Sequence, residues 1–217
     1  MRKYSLLLKS FAQQKDLCQG IRVHADVVKL GFLDQDIYVG SSLVNMYAKC
    51  GSLEEAQEVF DRLPIQNVVA WTSLIEGYSH HGYDEEALKC FERMQTEGLS
   101  PDEITFVCVL SACSHSGLLN EAKIVFQNMT REFSITPNVE HITCMLVSLG
   151  CAGQIDKAML TVRVIPSYNR NGEVWLSLLG ACRKWGNTRL GRLAFRYAVQ
   201  LELNINELIK GQVFSLT

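Results

Sequence analysis

Glycine recurs along this chain at nearly constant intervals, and no other feature narrows the possible folds as far. Gly51, Gly82, Gly117, Gly153 and Gly186 stand 31, 35, 36 and 33 residues apart, within the range of about 20 to 50 residues that marks a repeat architecture. Two other series keep step with them. Five residues after a glycine comes alanine, and four further on phenylalanine: Ala56 and Phe60, Ala87 and Phe91, Ala122 and Phe126. The fourth unit keeps Ala158 but has Val162, and the fifth has Gly191 with Phe195. Eleven residues before each glycine lie Gly40, Trp71, Phe106, Ile142 and Trp175. Tyr4 lies eleven before Lys15, which holds the glycine's place in an incomplete first unit. Three coincident series at unequal intervals do not arise by chance.

Each unit reads as two helices. Trp71, Leu74, Ile75 and Tyr78 follow the i, i+3, i+4, i+7 spacing of a buried stripe, and Ala87, Leu88, Phe91 and Met94 do the same after the glycine. The glycine ends the first helix. Acidic residues at the next helix start (Glu54 and Glu55, Asp84 to Glu86, Glu121, Asp156) suit the positive end of its dipole. Alanine leaves room for the first helix to pack closely, and phenylalanine one turn on fills the groove. The second helix is expected to close at Pro64, Pro101, Pro137 or Pro166, because proline cannot continue it.

A unit of this kind cannot bury its apolar face alone. Neighbours must stack, with the first helices lining the concave side. The predicted fold is an all-α, right-handed α-solenoid superhelix of helix-turn-helix repeats. Its units run approximately 1–36, 37–67, 68–102, 103–138 and 139–171, with a sixth helix pair at 172–205 and a divergent tail at 206–217. Nothing between them has linker composition, so one domain, 1–205, is expected.

Composition excludes several classes of function. With 47% hydrophobic residues, 20% charged and a net charge of -2, the chain is neither disordered nor a basic protein that holds nucleic acid mainly by counterion release. The eight cysteines follow no secretory signal and read as free, small packing residues in a reducing compartment. No Cys-x-x-Cys pair exists, and none of the five histidines sits in a His-x-Glu or His-Glu-x-x-His setting. Neither a zinc site nor the apparatus of a zinc deaminase is therefore expected, nor any other cofactor. No run of 18 apolar residues is present to span a membrane.

The stretches SLVNMYAKCGSLEEAQEVFDRLP, NVVAWTSLIEGYSHHGYDEEALKCFERMQTEGLSPDEITFVCVLSACSHSGLLNEA and EVWLSLLGACRKWGN resemble plant pentatricopeptide repeat proteins of the PLS subclass. That subclass cycles long, short and standard repeats as this chain does: 1–36 long, 37–67 short, 68–102 standard, 103–138 long and 139–171 short. The segment after Gly172 resembles the extension motif that follows the final short repeat. The resemblance covers about 205 of the 217 residues. It implies sequence-specific binding of single-stranded organellar RNA in a mitochondrion or chloroplast, usually to direct cytidine-to-uridine editing. Catalysis would then come from a deaminase-bearing editing protein acting in trans, docked on the extension-like helices at 172–205.

In this family one repeat reads one base through its fifth and last residues, while the second residue sandwiches the base. The resemblance maps the reading pairs to Ser41 with Asn67, Thr72 with Asp102, Val107 with Asn138, and Thr143 with Asn171. The sandwiching positions become Tyr38, Val69, Ile104 and Glu140. A carboxylate only accepts hydrogen bonds, which suits guanine N1–H and its amino group; an amide both donates and accepts, which suits adenine. Thr72 with Asp102 is thus expected to read G, and Ser41 with Asn67 and Thr143 with Asn171 to read A. Val107 carries no hydrogen-bonding group and is expected to contribute spacing. Ser, Thr, Asp and Asn are also the ordinary choices for helix N-caps and turns.

Met1 falls inside a repeat with no Arg- and Ser-rich segment ahead of it, which leads to the expectation of a fragment, a truncated product or a non-targeted isoform. A protein-binding scaffold of the tetratricopeptide type is the alternative from another class. Its period is a regular one of about 34 residues. A non-functional truncated remnant is the other.

Overall fold

Of the 217 residues, the computed structural model describes 2–164, 175, 178–180, 182, 183 and 186–200. All the elements among them are helices: α1 (Arg2–Gln14), α2 (Leu17–Lys29), α3 (Phe32–Gln35), α4 (Ile37–Cys50), α5 (Leu53–Arg62), α6 (Val68–His80), α7 (Asp84–Thr96), α8 (Glu103–His115), α9 (Leu119–Arg131), α10 (Val139–Cys151), α11 (Ile155–Val164) and α12 (Thr188–Gln200). The chain forms two compact units, Met1–Ala112 and Cys113–Thr217. Asn171, Pro166 and the tail at 206–217 lie outside the described residues.

The glycine series is a series of left-handed turns. Gly51, Gly82, Gly117, Gly153 and Gly186 have φ of 83°, 81°, 68°, 71° and 66°, a region that a side chain makes costly. At each, the next residue's N–H reaches back five residues: Ser52 to the Tyr47 carbonyl, Tyr83 to Tyr78, Leu118 to Cys113, Gln154 to Leu149 and Asn187 to Cys182, at 2.8–3.0 Å. This bond closes a helix C-terminus in the Schellman manner. Lys15 completes the set, with φ 54° and the Asp16 N–H bonded to the Phe11 carbonyl at 3.0 Å. The turn therefore imposes its geometry even where its residue is not glycine.

The two aromatic series interlock. Phe60 of α5 meets Trp71 of α6 edge to face, with ring centroids 4.5 Å apart, and Phe91 of α7 meets Phe106 of α8 at 5.7 Å. α5 and α7 thus each insert a phenylalanine against the first helix of the following repeat, which is how stacking buries both. Gly40 departs from the aromatic series because its place is taken. A Cβ there would lie 2.5 Å from Leu63 Cδ2. Ala56, Ala87 and Ala122 are fully buried.

In the first unit the first helices form a row, α1 against α4 and α4 against α6. In the second, Leu146, Trp175, Leu178, Leu190, Ala194 and Ala198 share one buried cluster, with Phe195 partly buried against it.

Pro64 closes its second helix as its sequence position suggests, by holding the preceding residue, Leu63, extended right after Arg62, but Pro101 and Pro137 do not. α5, α7 and α9 end at Arg62, Thr96 and Arg131, short of Pro64, Pro101 and Pro137. α7 is ended instead by Gly98 at φ 78°, whose N–H bonds the Gln95 carbonyl while the Leu99 N–H bonds that of Met94. Pro101 and Pro137 each stand one residue before a residue whose side chain caps the next helix. Pro101 and Pro137 thus shape the approach to α8 and α10.

Candidate nucleic-acid interface

Asn67, Asp102 and Asn138 supply N-caps of first helices, as Asp36 does for α4. Asn67 Oδ1 accepts from the Ala70 N–H at 2.9 Å, Asp102 Oδ1 from the Thr105 N–H at 2.8 Å, and Asn138 Oδ1 from the Glu140 and His141 N–H groups at 3.0 and 3.1 Å. His141 Nδ1 answers by accepting from the Asn138 N–H at 3.2 Å, closing a capping box. Capping a helix and facing its neighbour are compatible tasks here, because a cap residue sits where one repeat passes into the next.

Ser41 and Asn67 come together directly. Ser41 Oγ shares its one proton between Asn67 Oδ1 at 3.1 Å and the Ile37 carbonyl at 2.8 Å. Asn67 Oδ1 is thereby occupied by Ser41 and Ala70, and its Nδ2 is left to donate elsewhere. Thr72 and Asp102 meet through a third residue. Thr72 Oγ1 lies 2.7 Å from Thr105 Oγ1, which in turn donates to Asp102 Oδ1 at 2.7 Å. Thr72 is buried and its oxygen is bonded.

In the second unit, Thr143 Oγ1 donates to the Val139 carbonyl at 2.8 Å. Its partner Asn171 lies outside the described residues. Val107 belongs to the first unit and Asn138 to the second.

The three apolar residues at second positions are conspicuous for their exposure: Tyr38 78%, Val69 59% and Ile104 60%. Glu140 at the same place is also exposed. Each follows the first residue of its helix, one step off the buried stripe. Between Tyr38 and Val69 lies an open pocket of about 410 Å³, lined also by Ser41 and Asn67 and by Lys9 and Lys49. Lys49 pairs with Glu76 of α6 at 3.4 Å, both half-exposed. The pocket combines an aromatic wall, an aliphatic wall, a polar pair and two cations.

Sequence reasoning missed the polar bonds that hold the row of first helices in register. Ser5 bonds Ser42 at 2.7 Å, Asn45 Nδ2 donates to Ser73 Oγ at 3.3 Å, and Ser148 Oγ donates to Ser114 Oγ at 3.0 Å. It also missed Thr105. The available signal was its place three residues after Asp102, the spacing at which a cap and its reciprocal partner meet.

Family models for the pentatricopeptide (PPR) repeat match residues 41–68 and 104–132, and one for the PPR repeat family matches 66–115. The chain belongs to the pentatricopeptide repeat family. A chloroplastic pentatricopeptide repeat-containing protein of Arabidopsis thaliana is 38% identical over 200 residues, 92% of this chain and 22% of the relative. The chloroplastic pentatricopeptide repeat-containing protein CRR2 of the same plant is 43% identical over 196 residues, covering 90% of this chain and 30% of CRR2. The chain therefore spans about a quarter of the length of these relatives. Among solved structures, the pentatricopeptide repeat protein PPR10 in complex with an 18-nt psaJ RNA element matches 93% of this chain and 30% of PPR10, with a TM-score of 0.71 at 21% identity. The PPR domain of Arabidopsis thaliana protein-only RNase P 1, in complex with tRNA, matches 76% of this chain and 89% of that domain, with a TM-score of 0.60 at 17% identity. These likenesses show the fold, an α-solenoid of helix-turn-helix repeats.

Among the described residues of this pentatricopeptide repeat chain, no group of three His, Cys, Asp or Glu side chains is placed to hold a metal ion, and no helix is long and apolar enough to cross a membrane.

Proposed function

We propose that this chain binds single-stranded RNA sequence-specifically, one base per repeat, as part of a PLS-type specificity factor for organellar RNA processing such as cytidine-to-uridine editing. The observation that carries the reading is the pocket between Tyr38 and Val69. Its exposed ring and aliphatic wall suit the two faces of a base. Ser41 and Asn67 beside them suit a base edge, and Lys9 and Lys49 suit phosphates. With a net charge of -2 the chain has no field to hold RNA indiscriminately, so binding depends on such local pockets. The chain performs no chemistry on the RNA in this reading; a deaminase-bearing protein supplies it in trans, docked on residues 172–205. Chloroplastic relatives support an organellar setting.

The preferred sequence for repeats 37–171 is A-G-N-A, read 5′ to 3′ along the chain. Asn67 Nδ2 can donate to adenine N1, and the Asp102 carboxylate accepts from guanine N1–H and its amino group. Binding to the four variants at the second base tests the reading. Asp102→Asn is expected to move that preference from G towards A by about 1 kcal/mol or more, the lower end for base-edge contacts. An unchanged preference would leave Asp102 as a helix cap and nothing more.

A further inference from the structure

Thr105 belongs to neither member of the Thr72 and Asp102 pair, yet its hydroxyl touches both. Counting protons fixes the direction of each bond. Thr105 Oγ1 carries one proton and lies 2.7 Å from Asp102 Oδ1 and 2.7 Å from Thr72 Oγ1. A carboxylate has no proton to give, so Thr105 donates to Asp102, and the Thr72 hydroxyl must then donate to Thr105. The Asp102 N–H adds a third contact to the same oxygen at 3.3 Å. Both hydroxyl protons are consumed inside the protein. What the pair can offer outward is lone pairs only: Asp102 is exposed and its carboxylate only accepts, and the buried Thr72 hydroxyl has no proton left to present.

We infer that Thr105 is a specificity-determining positioning residue, whose buried hydroxyl turns Thr72 and Asp102 into an acceptor-only surface for a base edge carrying two neighbouring donors. This rests on the RNA reading proposed above and deepens it. The preceding site shows the contrast. There the residue in the place of Thr105 is Ala70, without a hydroxyl, and Ser41 reaches Asn67 directly at 3.1 Å. Without Thr105, the Thr72 hydroxyl would be free to turn and donate outward, and a base edge with an acceptor would be admitted as readily as guanine. The residue that governs discrimination in repeat 68–102 therefore lies on the first helix of the following repeat, at its third position.

The test uses the full chain with Thr105→Val, which keeps the shape and removes the hydroxyl, and Thr105→Ser, which keeps the hydroxyl. Binding is measured to short single-stranded RNAs carrying each of the four bases at the second position, and G or A at the first. The wild type and Thr105→Ser are expected to prefer G over A at the second position by about fivefold or more. For Thr105→Val the same ratio should fall to within about twofold, while its preference at the first position stays as in the wild type. Equal weakening towards every RNA, with the second-base ratio intact, would mean a merely structural role and overturn the inference while sparing the RNA reading. A wild type indifferent to the second base would overturn both.

Discussion

Helices α4 and α6 touch through a glycine, and replacing it with alanine tests how closely the row of first helices is packed. Gly77 is buried in the last turn of α6. A Cβ built on it would lie 2.7 Å from Ala48 Cβ, 3.2 Å from Leu53 Cδ2 and 3.3 Å from Ala48 Cα. Carbon atoms pack at about 3.5–4.0 Å, so the methyl is roughly 1 Å too close to an atom that cannot rotate away. The helices must separate or bend. Overpacking of this kind costs about 1–3 kcal/mol, while the helix propensity of alanine over glycine returns about 1 kcal/mol. Gly77→Ala should therefore lower stability by about 1 kcal/mol in urea titrations.

Ala48→Gly alone should cost about 2 kcal/mol, the sum of lost propensity and one buried methyl. The double variant merely moves the methyl across the interface and should return close to the wild type. Non-additivity of about 2–3 kcal/mol between the singles is the signature of direct contact. A Gly77→Ala protein more stable than the wild type by about 1 kcal/mol, as at a solvent-facing helix position, would refute the close approach.

Other perturbations follow from the same structure. Lys15→Gly should stabilise the chain by up to about 1 kcal/mol by relieving its left-handed backbone, and Gly82→Ala, which would meet no neighbouring atom, should destabilise it by a similar amount through backbone strain alone; urea midpoints check both. His24, bonded to the Tyr47 hydroxyl at 2.8 Å, is held below its ordinary 6.5 first by burial and then by the Arg62 charge. The unfolded chain then binds the proton first, so stability should be complete above pH 6.5 and decline as the pH falls through that value, levelling off once folded His24 is itself protonated; His24→Gln should flatten the profile between pH 7 and 5. Burial pushes the thiols of Cys90 and Cys182 up to about 11 and about 12, so brief alkylation of the native chain near pH 8 should mark exposed Cys18 and Cys151 and spare these two, as mass spectrometry of peptides would show.

The fold could be read from the sequence because its determinants are local and repeated. A left-handed turn needs glycine, and a stacked helix pair needs small and aromatic residues at fixed offsets. Gly51 to Gly186 and the Phe60–Trp71 contact leave that imprint in the chain itself. The stops of α7 and α9 were misplaced because proline announces where a helix cannot pass, not where it ends; Gly98 stands three residues before Pro101 and already closes α7. The candidate site was legible to the level of residue type and no further. Asn67 and Asp102 have the composition of caps and act as caps, and only the distance from Ser41 to Asn67 adds a second role. Thr105 was legible only as a capping partner three residues after Asp102, since its other bond, to the Thr72 hydroxyl, joins α8 to α6 and leaves no local imprint.

The differing lengths of the repeats are absorbed outside the first helices. α4, α6, α8 and α10 have 14, 13, 13 and 13 residues, whereas α5 and α7 have 10 and 13. The segment joining a second helix to the next first helix also varies, from 63–67 to 97–102 to 132–138. The shortening of α5 by three residues is close to one helical turn of about 3.6 residues, so the face it presents to α4 is nearly preserved. Small insertions and deletions can thus accumulate in the second helices and the joining segments while the first helices keep their length. A gene of this kind can drift in length by whole turns and still hold its frontage to the same ruler.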